Sequence, residues 1–155
     1  MNARMMLRSG IAVIAVAAAM AIGPSATAAP AEVIHEHQVA ETFVDTITCS
    51  GEPNAEITVT YNSVEKTSTT PDGGIHATFT ESGTFVAVPL DGSQSATGHF
   101  AVWGGFNDNG TTVNGTFTLN IRGTYADGTP VSLHLVDHFN TTPGGAEFFF
   151  TNCRD

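Results

Sequence analysis

Basic side chains are scarce in this chain: five Lys and Arg stand against fifteen Asp and Glu. Phosphate backbones and anionic lipid demand a clustered Lys/Arg footprint, so nucleic acid and bare membrane are poor partners. Cysteine is almost absent as well. The two that occur, Cys49 and Cys153, are too few for a Cys-rich zinc site, and their spacing excludes a CxxC redox motif. Tryptophan occurs once, as Trp103, and tyrosine twice, against ten phenylalanines. No G-x-S-x-G elbow, H-E-x-x-H, P-loop or G-x-G-x-x-G is present, which removes the local signatures of hydrolysis and nucleotide binding. A dyad assembled from distant strands leaves no such signature, so catalysis as a class stays open.

Long hydrophobic runs are missing except at the N-terminus. There Arg4 and Arg8 precede the apolar stretch Gly10 to Ile22, and Gly23-Pro24 leads into Ser25 to Ala29. That order is the signature of a secretory signal peptide, with Ala26-Thr27-Ala28 as the cleavage site. The apolar run, about 13 residues, falls short of the roughly 20 that span a bilayer, so no stable membrane insertion is expected. The expected organisation is a signal peptide over residues 1–28 and a single secreted β domain over 29–155. Without the leader, Lys66, Arg122 and Arg154 face all fifteen carboxylates, a net charge of about −12 that favours solubility outside the cell. In that oxidising compartment Cys49 and Cys153 are expected to pair. A bridge closing roughly a hundred residues is worth about 4 to 5 kcal/mol in the chain-entropy account.

From Val33 onward no helical period appears. Apolar residues recur at period two and turn signals punctuate the chain, which predicts an all-β fold. The expected strands are Thr42 to Cys49, Ile57 to Tyr61 within the segment Ala55 to Thr70, Ile75 to Phe79, Phe85 to Leu90, Gly98 to Phe106, Phe117 to Arg122, Val131 to Asn140, and Ala146 to Asn152. Asn107-Asp108-Asn109-Gly110 is the strongest hairpin signal, followed by Asp127-Gly128. Asn-x-Thr patterns at Asn109, Asn114 and Asn140 matter only in a eukaryotic host, and Asn109 reads as a turn residue. About eight strands joined by short turns predict a small antiparallel up-and-down barrel, with a β-sandwich as the alternative. The bridge tests that count. In a strict meander Cys49, ending the first strand, and Cys153, following the eighth, would lie at opposite ends.

The segment Val131 to Asn140 holds the most chemistry. Its alternation places Leu133, Leu135, Asp137 and Phe139 on one face and His134 and His138 on the other. A carboxylate on an apolar inner face is costly unless paired or hydrated, so Asp137, and Asp45 among Phe43, Ile47 and Cys49, are candidate site residues. The plainer reading is a strand-end aspartate bonded to loop amides. His134 and His138 lie about 13 Å apart on a regular strand, too far for one ion. His35 and His37, at i and i+2, are a weak metal-ligand pair without a visible third ligand. Trp103 opposes Phe100, Val102 and Phe106, and Phe149 opposes Phe148 and Phe150; apolar residues on both faces read plainly as a thick core or a sheet covered by a loop, and functionally as an apolar ligand cavity or a homodimer face.

With GHFAVWGGF, VNGTF, VDHFN and EFFFTNC in view, the chain resembles small exported actinobacterial proteins of uncharacterised function over most of its length. That resemblance implies no activity. At the level of the strand pattern it is distantly similar to eight-stranded barrels of the calycin and allene-oxide-cyclase-like kind, which implies a fold and no function. The leading expectation is a secreted β-barrel binding an apolar small molecule or an extracellular protein partner through Asp137, Phe139, Leu135, Trp103 and Asp45, without a cofactor. The alternative is a barrel enzyme of cyclase or isomerase type using Asp137, Asp45 and His138. A metal-binding module centred on His35 and His37 is the weaker third.

Overall fold

The computed structural model describes residues 30–155; the leader read over residues 1–28 lies outside them. Seven strands follow one another: β1 (Glu32–Asp45), β2 (Ala55–Thr69), β3 (Ile75–Pro89), β4 (Ala96–Asp108), β5 (Val113–Tyr125), β6 (Pro130–Thr141) and β7 (Glu147–Arg154). They form one antiparallel sheet in chain order. The all-β meander is as expected. The count is corrected from eight to seven, and a single sheet replaces the two layers of a sandwich. Among the described residues β1 and β7 share no hydrogen-bonded ladder, so the sheet is not closed.

The miscount has one physical source. Ser82-Gly83 reads as a turn, yet β3 runs through it unbroken. Gly83 lies opposite Tyr61 on β2 and Phe100 on β4, and a Cβ there would overlap the carbonyl oxygen of Thr60. Glycine marks close backbone approach at this point, one of its two meanings inside a strand. With seven strands the parity conflict disappears, because β1 and β7 run in the same direction. Cys49, in the loop after β1, bonds to Cys153 on β7 with Cα atoms 5.6 Å apart. The Cys49 amide also donates to Asp155 Oδ1 at 2.9 Å.

Side chains from distant strands meet on the inner face, so the sheet rolls over itself. Ile57, Val59 and Tyr61 of β2, Phe85 and Ala87 of β3, Ile121 of β5, and Val131 and Leu133 of β6 form one buried cluster with Ile47 from the β1–β2 loop. Each large member stabilises the fold by about 1.5–3 kcal/mol. The rings of Tyr61 and Phe100 meet edge to face across Gly83, 6.3 Å between centroids. Gly98 on β4 and Gly123 on β5 are directly opposed, and added Cβ atoms there would overlap the carbonyls of Arg122 and Thr97.

Turn glycines differ from these. Gly73 has φ +87° with open space around its Cα. We therefore expect Gly83→Ala to destabilise by about 3 kcal/mol or more through overpacking against backbone, and Gly73→Ala by about 1 kcal/mol through strain alone. Urea unfolding of the two variants, with the bridge intact, measures the difference; equal losses would contradict the close-approach account.

Candidate functional site

The ladder registers place side chains of successive strands side by side on the outer face. One such rung runs from His76 through Asn107, Asn114 and Asn140 to Phe148. The next runs from Thr78 through Gly105, Thr116 and His138 to Phe150. Trp103 follows on the third, between Thr80 and Thr118. The rungs are knit by side-chain hydrogen bonds. His76 Nδ1 donates to Asn107 Oδ1 at 2.6 Å, Asn107 Nδ2 to Asn114 Oδ1 at 3.4 Å, and Thr116 Oγ1 and His138 Nδ1 lie 2.7 Å apart. Each imidazole is thus fixed through Nδ1, leaving Nε2 for other partners.

Over these rungs lies an open groove of about 720 Å³. Its floor is lowered at Gly105 on the outer rung, its exposed aromatic walls are Trp103 on one side and Phe148 and Phe150 on the other, and Phe139 and Phe149 complete the lining. Trp103 is 43% exposed, and Phe148 and Phe150 are each 60% exposed. His138 packs beside Phe150 with ring centroids 6.0 Å apart. Among the described residues no Asp, Glu, Lys or Arg lines the groove. Apolar residues on both faces of β4 and β7 were a sequence signal for Trp103 and the phenylalanines. The Asn and Thr rungs carried none, because only register brings them together.

The five residues expected to form one ligand site are divided between faces. Leu135, Asp137 and Phe139 share the inner face with Asp45, while Trp103 stands on the outer face. Of these five, Trp103 and Phe139 line the groove, and Leu135, Asp137 and Asp45 do not. Asp137 lies opposite Phe117 and Thr151, and its Oδ1 is buried without a hydrogen-bond partner. Asp45 ends β1 and its Oδ1 accepts the Thr46 amide at 2.8 Å, the strand-end arrangement. His138 is on the face opposite Asp137, so the two do not face one another. His134 Nδ1 bonds to Asn120 Oδ1 at 2.6 Å. His35 opposes Val64, but the register shifts directly after Glu36 and Gln38 takes φ 55°. That bulge breaks the regular geometry needed to set His37 beside His35. Among the described residues no three His, Cys, Asp or Glu side chains are grouped to hold a metal ion.

Sequence reading missed a second polar feature, the inner-face carboxylates of β1 to β3. Glu36, Glu41, Glu65 and Glu81 fall on that face, while Lys66, Arg122 and Arg154 fall on the outer register. Tyr61 Oη donates to Glu41 Oε1 at 3.0 Å, and Ser63 Oγ donates to Glu36 Oε2 at 3.2 Å. Burial, followed by the charges of Glu41, Glu36 and Glu65, raises the Glu81 pKa above the ordinary carboxylate value. Burial and the bond to Glu41 likewise raise that of the Tyr61 hydroxyl. No family model, curated protein or solved structure matches the chain.

A raised carboxylate pKa stabilises the fold in its protonated form. Glu81 thus contributes stability below its unfolded value of 4.5, and this is lost as pH rises through the higher folded value. The turn carboxylates Asp72, Asp91 and Asp127 are lowered by hydrogen bonds to their own turns and act in the opposite sense at lower pH. Glu81→Gln is expected to raise the melting temperature at pH 7 and to flatten the rise in stability on acidification toward pH 5. Thermal unfolding across that range checks it; a variant less stable than the parent at pH 7 would contradict the repulsion account.

Proposed function

We propose that this protein is a secreted, non-enzymatic binding module that holds an uncharged, hydroxylated small molecule, of the neutral saccharide class, in the outer groove. One observation carries the reading: aromatic walls at Trp103, Phe148 and Phe150 flank rungs of Asn, Thr and His, with no charged group in the lining. A sugar ring has an apolar C–H face that suits an aromatic ring and an edge of hydroxyls that suits amide and imidazole groups. A purely apolar ligand would leave those polar rungs desolvated and unpaired, at about 1–3 kcal/mol for each buried group. A charged ligand would find no counter-charge. In this reading the rolled sheet serves as an incompletely closed barrel with the Cys49–Cys153 bridge holding its seam, and its interior is core.

The enzymatic alternative draws support from the unpartnered Oδ1 of Asp137. Acid–base chemistry needs a second group within reach. Asp45 is engaged by the Thr46 amide and His138 belongs to the other face, so the groove reading has the stronger support.

Trp103 is the chain's one tryptophan, which makes its intrinsic fluorescence a reporter of this groove. Titration with neutral oligosaccharides is expected to shift the emission saturably. By calorimetry, Trp103→Ala is expected to weaken binding by about 2 kcal/mol, roughly thirtyfold. A flat titration across neutral saccharides, with a response to charged or aliphatic ligands instead, would sink the proposal.

A further inference from the structure

We propose that the free edge of β7 pairs with the same edge of a second copy in a reversible two-fold dimer centred on Phe149. An edge strand presents unpaired backbone donors and acceptors and templates further pairing unless charge, proline or a bulge blunts it. β1 is blunted: Glu32, Glu36 and Glu41 share its inner face, and the bulge at Gln38 interrupts the ladder. β7 has none of these devices between Phe148 and Cys153. Its register with β6 is unbroken, and Phe148, Phe149 and Phe150 are 60%, 58% and 60% exposed.

The strand itself selects the centre of pairing. Glu147 to Thr151 are exposed, whereas Asn152 and Cys153 are part-buried where the bridge brings in the β1–β2 loop. A two-fold axis normal to the sheet opposes residues of the same face, so it must pass through a residue. Centring on Phe149 sets that ring against its counterpart and Phe148 against Phe150, while Glu147 meets Thr151. Centring one residue to either side sets Phe149 against Thr151 or against Glu147. Only the Phe149 centre pairs all six phenylalanine rings with one another, a favoured cross-strand combination.

Six rings about three-fifths exposed offer about 700 Å² of surface at about 200 Å² per aromatic side chain. Stable interfaces bury about 1,200–2,000 Å². The backbone ladder adds to the ring area, but the total sets a dynamic dimer rather than a permanent one. Phe148 and Phe150 also wall the outer groove, so pairing would run two grooves together across the axis. That consequence alone rests on the saccharide reading; the dimer does not.

Sedimentation velocity of the disulfide-intact protein without ligand, from about 5 to 500 μM, tests the dimer. The expected result is a rising weight-average sedimentation coefficient that Phe149→Lys abolishes with the circular dichroism spectrum unchanged. Variants with one cysteine added to the bridged pair test the register. Phe149→Cys should cross-link to itself under mild oxidation, and Phe148→Cys should not. A monomer over the whole range, or equal cross-linking at the two positions, would overturn the proposal. A dimer that binds no saccharide would overturn only the groove reading.

Discussion

Among the described residues no helix or second sheet covers the meander, so it buries its apolar face by rolling, and here rolling depends on missing Cβ atoms. At Gly83, Gly98 and Gly123 any side chain would enter the neighbouring backbone. Their absence of bulk makes room for Phe85, Phe100 and Tyr61 over the same region of the inner face. The disulfide then ties the loop after β1 to β7 and holds the rolled form where no backbone ladder spans the seam. Bridge and glycines act on different states: the bridge limits the unfolded chain, and the glycines permit the folded one.

Rolling assigns the two faces different tasks. The inner face is occupied by the core below and by Glu36, Glu41, Glu65 and Glu81 toward the other end of β1 to β3. The outer face carries Lys66, Arg122 and Arg154 away from a groove that has no charge of either sign. An uncharged, partly aromatic groove on a strongly acidic chain is a local departure from the general surface, and that contrast directs attention to Trp103, Phe148 and Phe150. The same phenylalanines stand at the free edge of β7, so the proposed ligand groove and the proposed dimer edge share one aromatic strip.

Much of this was legible in the residues. Period-two alternation indicated the all-β class and set Asp137 beside Leu135 and Phe139, opposite His134 and His138. Asn109 and Gly110 were read as a turn, and there Asn109 Oδ1 accepts the amides of Thr111 and Thr112 while Gly110 takes φ 80°. Ser82-Gly83 misled because a glycine that ends a strand and one that admits a neighbouring strand look alike locally. Glu32 to Glu41 was passed over because its carboxylates hide the alternation and a bulge breaks it. Trp103 was grouped with Asp137 because faces can be counted along one strand but not compared between strands without register. The Asn107, Asn114 and Asn140 rung was invisible for the same reason, and each residue of it looked like an ordinary loop or sheet-surface asparagine.

In the proposed reading the outer face binds and the inner face holds the fold together. Amide and side-chain chemical-shift mapping during titration with a neutral oligosaccharide tests it most directly. The account predicts saturable shifts at the Trp103 indole, Thr116, His138 and Phe150, with Leu135, Asp137 and Phe117 unmoved. Shifts centred on Asp137 and its inner-face neighbours, with Trp103 silent, would contradict it.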